Sequence, residues 1–225
     1  MKILKMMMTW LFILFAVILL STPMIYADNI SVGDRIMFVN GPGSPGGEFG
    51  IRKWEGSAYG SELFTTFCIQ YTEYIDFNAA GFNVVGITNF AEPGHDELNN
   101  ETAWLYYQFR MGNLAGYDGG ATSANALQNV IWRFERETWS NNISTSLDDQ
   151  WYQAALDAVN GGWHNDGRVQ VLNLEWATSR SFAAGTPAQD QLVLAPVPEP
   201  STLLLIGSGL IGFGILGRKG FKRRG

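Results

Sequence analysis

The chain has 225 residues, 15 Lys and Arg against 21 Asp and Glu, a formal charge of −6, and a single cysteine. One cysteine excludes an internal disulfide, and the acidic surplus disfavours nucleic acid and anionic lipid as partners. The length accommodates one domain with a sizeable core once the two ends are set aside.

Residues 1–27 read as a secretory signal peptide. Lys2 and Lys5 give a positive start, Trp10 to Leu20 an apolar run, and Ser21, Thr22 and Pro23 break it ahead of Ile25-Tyr26-Ala27. The other end, residues 197–225, is equally patterned. Val197, Pro198, Glu199 and Pro200 precede an apolar, uncharged run from Ser201 to Gly217, and Arg218, Lys219, Lys222, Arg223 and Arg224 form a basic stop-transfer tail. The prolines keep the segment before the run extended. A helix over the run spans roughly 25 Å, enough to cross a bilayer with snorkelling flanks, and the basic tail stays cytoplasmic.

This three-part end resembles the PEP-CTERM sorting signal of Gram-negative bacteria. The resemblance implies export, transient anchoring through a transmembrane helix, processing by an exosortase-type enzyme, and display at the cell surface or in an exopolysaccharide matrix, as in a biofilm. The two ends hold seven of the fifteen basic residues but only Glu199 among the acidic ones, so the intervening domain, residues 28–196, carries 8 basic against 20 acidic groups, a formal −12.

Within that domain an opening strand is expected over Asn29 to Asn40, and a Gly/Pro loop over Gly41 to Gly47. A second strand is expected over Glu48 to Trp54. Ser61 to Phe77 alternates: Phe67, Ile69 and Tyr71 fall on one face, Thr66, Cys68 and Gln70 on the other, as in a long or bent strand. Phe82 to Ile87 reads as its hairpin partner. The period then becomes helical over Thr102 to Met111, over a segment capped by Thr122 or Ser123, and over a third starting at Asp148-Asp149 and ending at Gly161. Arg168 to Trp176 and Gln191 to Leu194 return to strand. Strands, helices and strands in that order predict an α+β fold: a β-sandwich or barrel with an inserted group of short helices.

Two stretches carry chemistry. Phe67-Cys68-Ile69-Gln70 and Leu127-Gln128-Asn129-Val130-Ile131-Trp132 resemble the cysteine and glutamine motifs of bacterial thioester domains of the TQXA type, surface adhesins, and Ala103-Trp104-Leu105 fits the same pattern. The resemblance implies a thioester cross-link between Cys68 and Gln128 that reacts with amines or hydroxyls on a surface target, with no cofactor. Such a bond forms when the sulfur attacks the Gln carboxamide and ammonia leaves. Holding both groups in contact supplies on the order of 7–11 kcal/mol of the barrier. Phe67, Tyr71, Trp104 and Trp132 are candidates to wall the bond from water.

Other readings compete. A lone strand cysteine is most often a packed core residue, which leaves a passive exopolysaccharide-matrix structural protein with a free, buried Cys68. A cysteine hydrolase would use Cys68 with His95 or His164, both in turns without a catalytic signature. Asp118-Gly119-Gly120 and His164-Asn165-Asp166 carry Ca²⁺-type ligands without EF-hand spacing. Asn100-Glu101-Thr102 and Asn142-Ile143-Ser144 match the glycosylation sequon by chance.

Overall fold

The computed structural model of the chain describes residues 27–43, 47–77, 79–91, 96–137, 146–177 and 182–195. Among the described residues eight strands and three helices follow one another: β1 (Arg35–Asn40), β2 (Phe49–Trp54), β3 (Tyr59–Thr66), β4 (Phe82–Thr88), β5 (Phe90–Ala91), β6 (Asp96–Glu97), α1 (Asn100–Arg110), α2 (Ala121–Phe134), α3 (Ser146–Asn160), β7 (Val169–Trp176) and β8 (Pro187–Leu194). The fold is α+β, as expected.

Its sheet departs from the expectation. It is neither a sandwich nor a closed barrel: one six-stranded antiparallel sheet runs in the order β3-β2-β1-β4-β7-β8, beside a two-stranded ribbon of β5 and β6. β4 is not the hairpin partner of β3. It lies between β1 and β7, in register from Arg35 opposite Asn83 on one side and from Phe82 opposite Trp176 on the other.

Two apolar clusters lie against this sheet. One draws residues from every one of the six strands, among them Ile36, Ile51, Phe64, Val84, Leu174 and Val193, so the sheet curls about it. The other joins Val169, Val171, Leu192 and Leu194 to the helices through Leu105, Leu127 and Ile131. Alternation explains the split: Leu192 and Leu194 point to the helices and Val193 to the curl. β7 and β8 are therefore buried on both faces, and seven of the eight β8 residues are buried.

Curling brings the sheet's two edges together. The strand expected over Ser61 to Phe77 ends at Thr66, and the chain just beyond it runs along β8. Leu192 N–H donates to Phe67 C=O (3.1 Å), Ile69 N–H to Asp190 C=O (3.2 Å), and the Thr66 hydroxyl to Leu192 C=O (2.6 Å). Cys68 and Gln191 form one isolated antiparallel bridge between them. The edges thus meet at a short seam while the ladder itself stays open.

The helices follow their apolar periods, with corrections at the ends. Gly120, not Thr122 or Ser123, is the N-cap of α2. Asp118 does the capping work from outside: its carboxylate accepts from Gly120 N–H (2.8 Å) and from the Ser123 hydroxyl (2.6 Å). After α3 the left-handed residue is Gly162 (φ 97°), one position beyond Gly161, and Trp163 N–H closes back on Ala158 C=O. Among the described residues no helix is long and apolar enough to cross a membrane. Of the segment read as signal peptide (residues 1–27) all but Ala27, and the whole of the sorting segment (residues 197–225), lie outside the described residues.

A buried ion pair locks the start of the domain to its end. Arg110, on α1, places both terminal nitrogens on the Asp28 carboxylate (2.8 and 2.7 Å), while Asp28 Oδ2 accepts from Leu194 N–H (2.8 Å) and Asp28 N–H donates to Leu194 C=O (2.9 Å). Removing one partner strands the other charge in a buried setting. Asp28→Ala is therefore expected to cost about 3–5 kcal/mol, read as a lowered urea midpoint with an unchanged slope.

Candidate functional site

The site lies where α2 meets the seam. Gln128 and Trp132 are four residues apart on α2, so their side chains share one face. Leu127, Val130 and Ile131 fill the helical cluster instead, and Trp132 joins the cluster that contains Cys68.

The Gln128 carboxamide is buried against the Cys68 main chain. Its Oε1 accepts from Cys68 N–H (3.0 Å), and its Nε2 donates to Cys68 C=O (2.7 Å). The side chain thereby replaces a neighbouring strand at the one residue of the seam where α2 arrives. It satisfies a buried donor and a buried acceptor that would each cost about 1–3 kcal/mol unpaired. The two residues sixty positions apart that the motifs singled out are in contact.

The sulfur itself has a polar neighbour that the sequence did not single out. Gln191, across the isolated bridge, donates from Nε2 to Cys68 Sγ (3.3 Å) and to Gln189 C=O (3.2 Å). Its Oε1 is buried without a partner among the described residues. Cys68 itself is 0 % exposed and in no disulfide. Burial pushes that thiol up to about 12; the Gln191 hydrogen bond opposes the rise and the nearby Glu73 charge adds to it. The sulfur is thus neutral at physiological pH.

The four expected wall residues divide. Phe67 is buried on the opposite face from Cys68, edge-on to Phe109 at 5.0 Å in the helical cluster. Tyr71 and Trp132 stand together on the Cys68 side, edge to face at 5.2 Å. Trp104 is only partly buried and packs against the helical cluster; it is a helix-packing residue.

Beyond Tyr71 and Trp132 opens a cleft of about 340 Å³. Its walls include Phe49, Tyr74 and Phe77, with Asn40, Glu73 and Gln189 as polar groups. Glu73 accepts from Asp190 N–H (3.3 Å). Burial, then the charges of Asp190 and Glu137, raise its carboxyl to about 8, against the opposing hydrogen bond from Asp190 N–H. Asp190 is itself buried and holds Asn173 Nδ2 (2.8 Å) and Leu174 N–H (2.9 Å) at the bulge where β8 carries one more residue than β7. Gln191, Gln189, Asp190 and Glu73 escaped the motif reading. The available signal was the polar run Gln189-Asp190-Gln191 inside an otherwise apolar strand.

The other candidate chemistry lies elsewhere. The His164 ring, exposed past α3, contacts the Gly162 carbonyl (3.3 Å), whereas the Cys68 thiol takes its hydrogen bond from Gln191. His95 lies outside the described residues. Asp118 is engaged in helix capping and Asp166 pairs with Arg168 (2.5 Å). Among the described residues no three His, Cys, Asp or Glu side chains group so as to hold a metal ion.

A model of the PEP-CTERM protein-sorting motif matches residues 196–219. The match begins one residue past the last described position, Ala195, and covers Val197, Pro198, Glu199, Pro200, Arg218 and Lys219. The motif implies export, processing by an exosortase, and membrane anchoring before display at the cell surface. No curated protein and no solved structure matches the chain.

The raised Glu73 carboxyl sets a sign for pH dependence. Its folded value of about 8 exceeds its ordinary 4.5, so the folded state favours the protonated form. The contribution of Glu73 to stability is greatest below pH 4.5 and is lost as pH rises toward 8. Glu73→Gln should flatten that decline, measured as urea midpoints at intervals across the window.

Proposed function

We propose that this exported domain is a covalent surface adhesin in which Cys68 and Gln128 join as an internal thioester that captures an amine or hydroxyl on its target. The single observation that carries the reading is the clamping of the Gln128 carboxamide on the Cys68 main chain, at 3.0 and 2.7 Å.

The arrangement suits the reaction. Cys68 N–H is aimed at Gln128 Oε1, the atom on which negative charge develops when sulfur adds to the carbonyl carbon, so it acts as an oxyanion donor. Gln191 Nε2 holds the sulfur. As the C–S bond forms and the C–N bond breaks, the thiol proton leaves with the amide nitrogen as ammonia, so the step balances without an external base. The product has no thiol to ionise and lies where water is excluded, since Cys68 is fully buried. A covalent attachment suits a protein whose sorting motif places it at the cell surface.

One observation favours a second reading. The same carboxamide clamp satisfies the backbone at Cys68 whether or not a bond forms, which fits a passive matrix component with an inert buried thiol. Intact mass separates the two. The thioester predicts a deficit of one ammonia in the purified protein, absent from Cys68→Ala and Gln128→Ala, with methylamine adding across the bond to leave an N-methyl amide on Gln128, one CH2 heavier than the unmodified chain, and freeing one thiol. Full mass together with a slowly titrating thiol would sink the adhesin reading. Gln128→Ala should also lose roughly 1–3 kcal/mol for each Cys68 backbone group it leaves unpaired.

A further inference from the structure

The cleft beside Tyr71 and Trp132 is built for a ligand of definite chemistry, and that chemistry bears on which nucleophile the site accepts. We infer that it binds a pyranose unit of a neutral polysaccharide, and that the group delivered to the Cys68–Gln128 site is a saccharide hydroxyl rather than an amine. The delivery step rests on the thioester reading above; the binding step does not.

The size and lining come first. About 340 Å³ is at the small end of ligand sites, the scale of a sugar ring or two. Tyr71, Tyr74, Phe77 and Trp132 present aromatic surface, against which the C–H face of a pyranose packs while its hydroxyls turn to polar neighbours. Tyr74 is 66 % exposed and Phe77 40 %, a large aromatic outlay on a segment that is neither strand nor helix. Glu73 and Gln189 supply polar groups within that aromatic frame.

The donor inventory then chooses between an alkylammonium and a hydroxyl. Aromatic rings with a carboxyl also suit a cation, so the choice turns on the remaining groups. Trp132, which lines the cleft, keeps its indole N–H buried without a partner among the described residues. Indole is a donor only, so a ligand that reaches it must bring an acceptor, as a hydroxyl or ring oxygen does and an ammonium does not. Glu73 gives the same answer. Half-buried, beside Asp190 and Glu137, its carboxyl is raised to about 8 by desolvation and those two charges, which favours a neutral hydrogen-bonding group over a counter-ion. The formal −12 of the domain disfavours acidic polysaccharides.

The cleft shares wall residues with the cluster that holds Cys68. Phe49 and Trp132 belong both to its walls and to the cluster that encloses Cys68. A hydroxyl admitted past Trp132 bonds through oxygen to the Gln128 carbonyl carbon. The C–S bond breaks, and the hydroxyl proton ends on the Cys68 sulfur, leaving an ester on Gln128 and a free thiol. No co-reactant is required.

The test uses the full chain purified in detergent, beside its Cys68→Ala variant, titrated with neutral cello-, manno- and N-acetylglucosamine oligosaccharides and with Nα-acetyl-lysine amide. Tryptophan fluorescence reads binding and intact mass reads capture. At least one neutral oligosaccharide should bind saturably and equally to both proteins. Tyr74→Ala, an exposed position, should weaken it about tenfold, and Glu73→Gln should leave it within about twofold because it keeps a neutral hydrogen-bonding group. A mass adduct of one oligosaccharide in the parent chain, absent from Cys68→Ala, supports both the cleft and the thioester. Equal binding without any adduct, and without a methylamine adduct, supports the cleft and overturns the thioester. A methylamine adduct with no binding of any neutral oligosaccharide leaves the thioester standing and overturns the cleft. Binding of the lysine amide alone, abolished by Glu73→Gln, overturns the saccharide assignment in favour of a cation.

Discussion

The two hydrogen bonds between the Gln128 carboxamide and the Cys68 main chain are the constraint on which the rest of the site depends. A carboxamide carries one acceptor and one donor group at the spacing of a peptide unit, so it can replace a neighbouring strand for a single residue. That replacement lets a helix end a sheet's edge without leaving an orphaned amide in the interior. It also fixes the rotation of α2 about its axis. With Gln128 committed to the seam, Trp132 must face the curled cluster, and Leu127 and Ile131 must face the other helices.

The seam itself is kept in place by groups that a regular ladder would not need. Tyr106, from α1, donates to Thr65 C=O (3.0 Å) just ahead of it. On the far side, Asp190 sits in the bulge of β8, turns its carboxylate onto β7 and sets the run Gln189 to Gln191 against Cys68. A buried carboxylate is stable there because it accepts from Asn173 and from the Leu174 amide. Its charge in turn raises the neighbouring Glu73. The acid–base character of the cleft is thus a by-product of how the sheet edges are joined.

Much of this was legible in the chain. Apolar runs between turn residues marked β1, β2, β7 and the second half of β8, and helical spacing marked α1, α2 and α3 to within a turn. Two short motifs singled out Cys68 and Gln128, and the Gln128 carboxamide lies on the Cys68 main chain. Strand order was not legible: Phe82 to Ile87 follows Ser61 to Phe77 in sequence, yet β4 pairs with β1 and β7 across long intervals. Nothing local encodes such pairing. Gln191 was missed because a polar residue in a strand ordinarily signals solvent, whereas here both faces of β8 are buried. Trp104 was assigned to the site because an aromatic residue at helical spacing looks the same whether it walls a site or packs two helices together.

The position of β8 has a mechanical consequence. β8 ends at Leu194, and the sorting motif begins at residue 196. Tension from a surface anchorage at that end enters the domain through β8 itself. It acts along a strand paired to β7 from Val169 opposite Leu194 to Glu175 opposite Pro187, so the ladder is loaded in shear and its hydrogen bonds resist together rather than one after another. Gln191, in the middle of that strand, touches the Cys68 sulfur. A target captured at Gln128 would pull from a point one side chain away, leaving α1, α3 and most of the sheet outside the line of force.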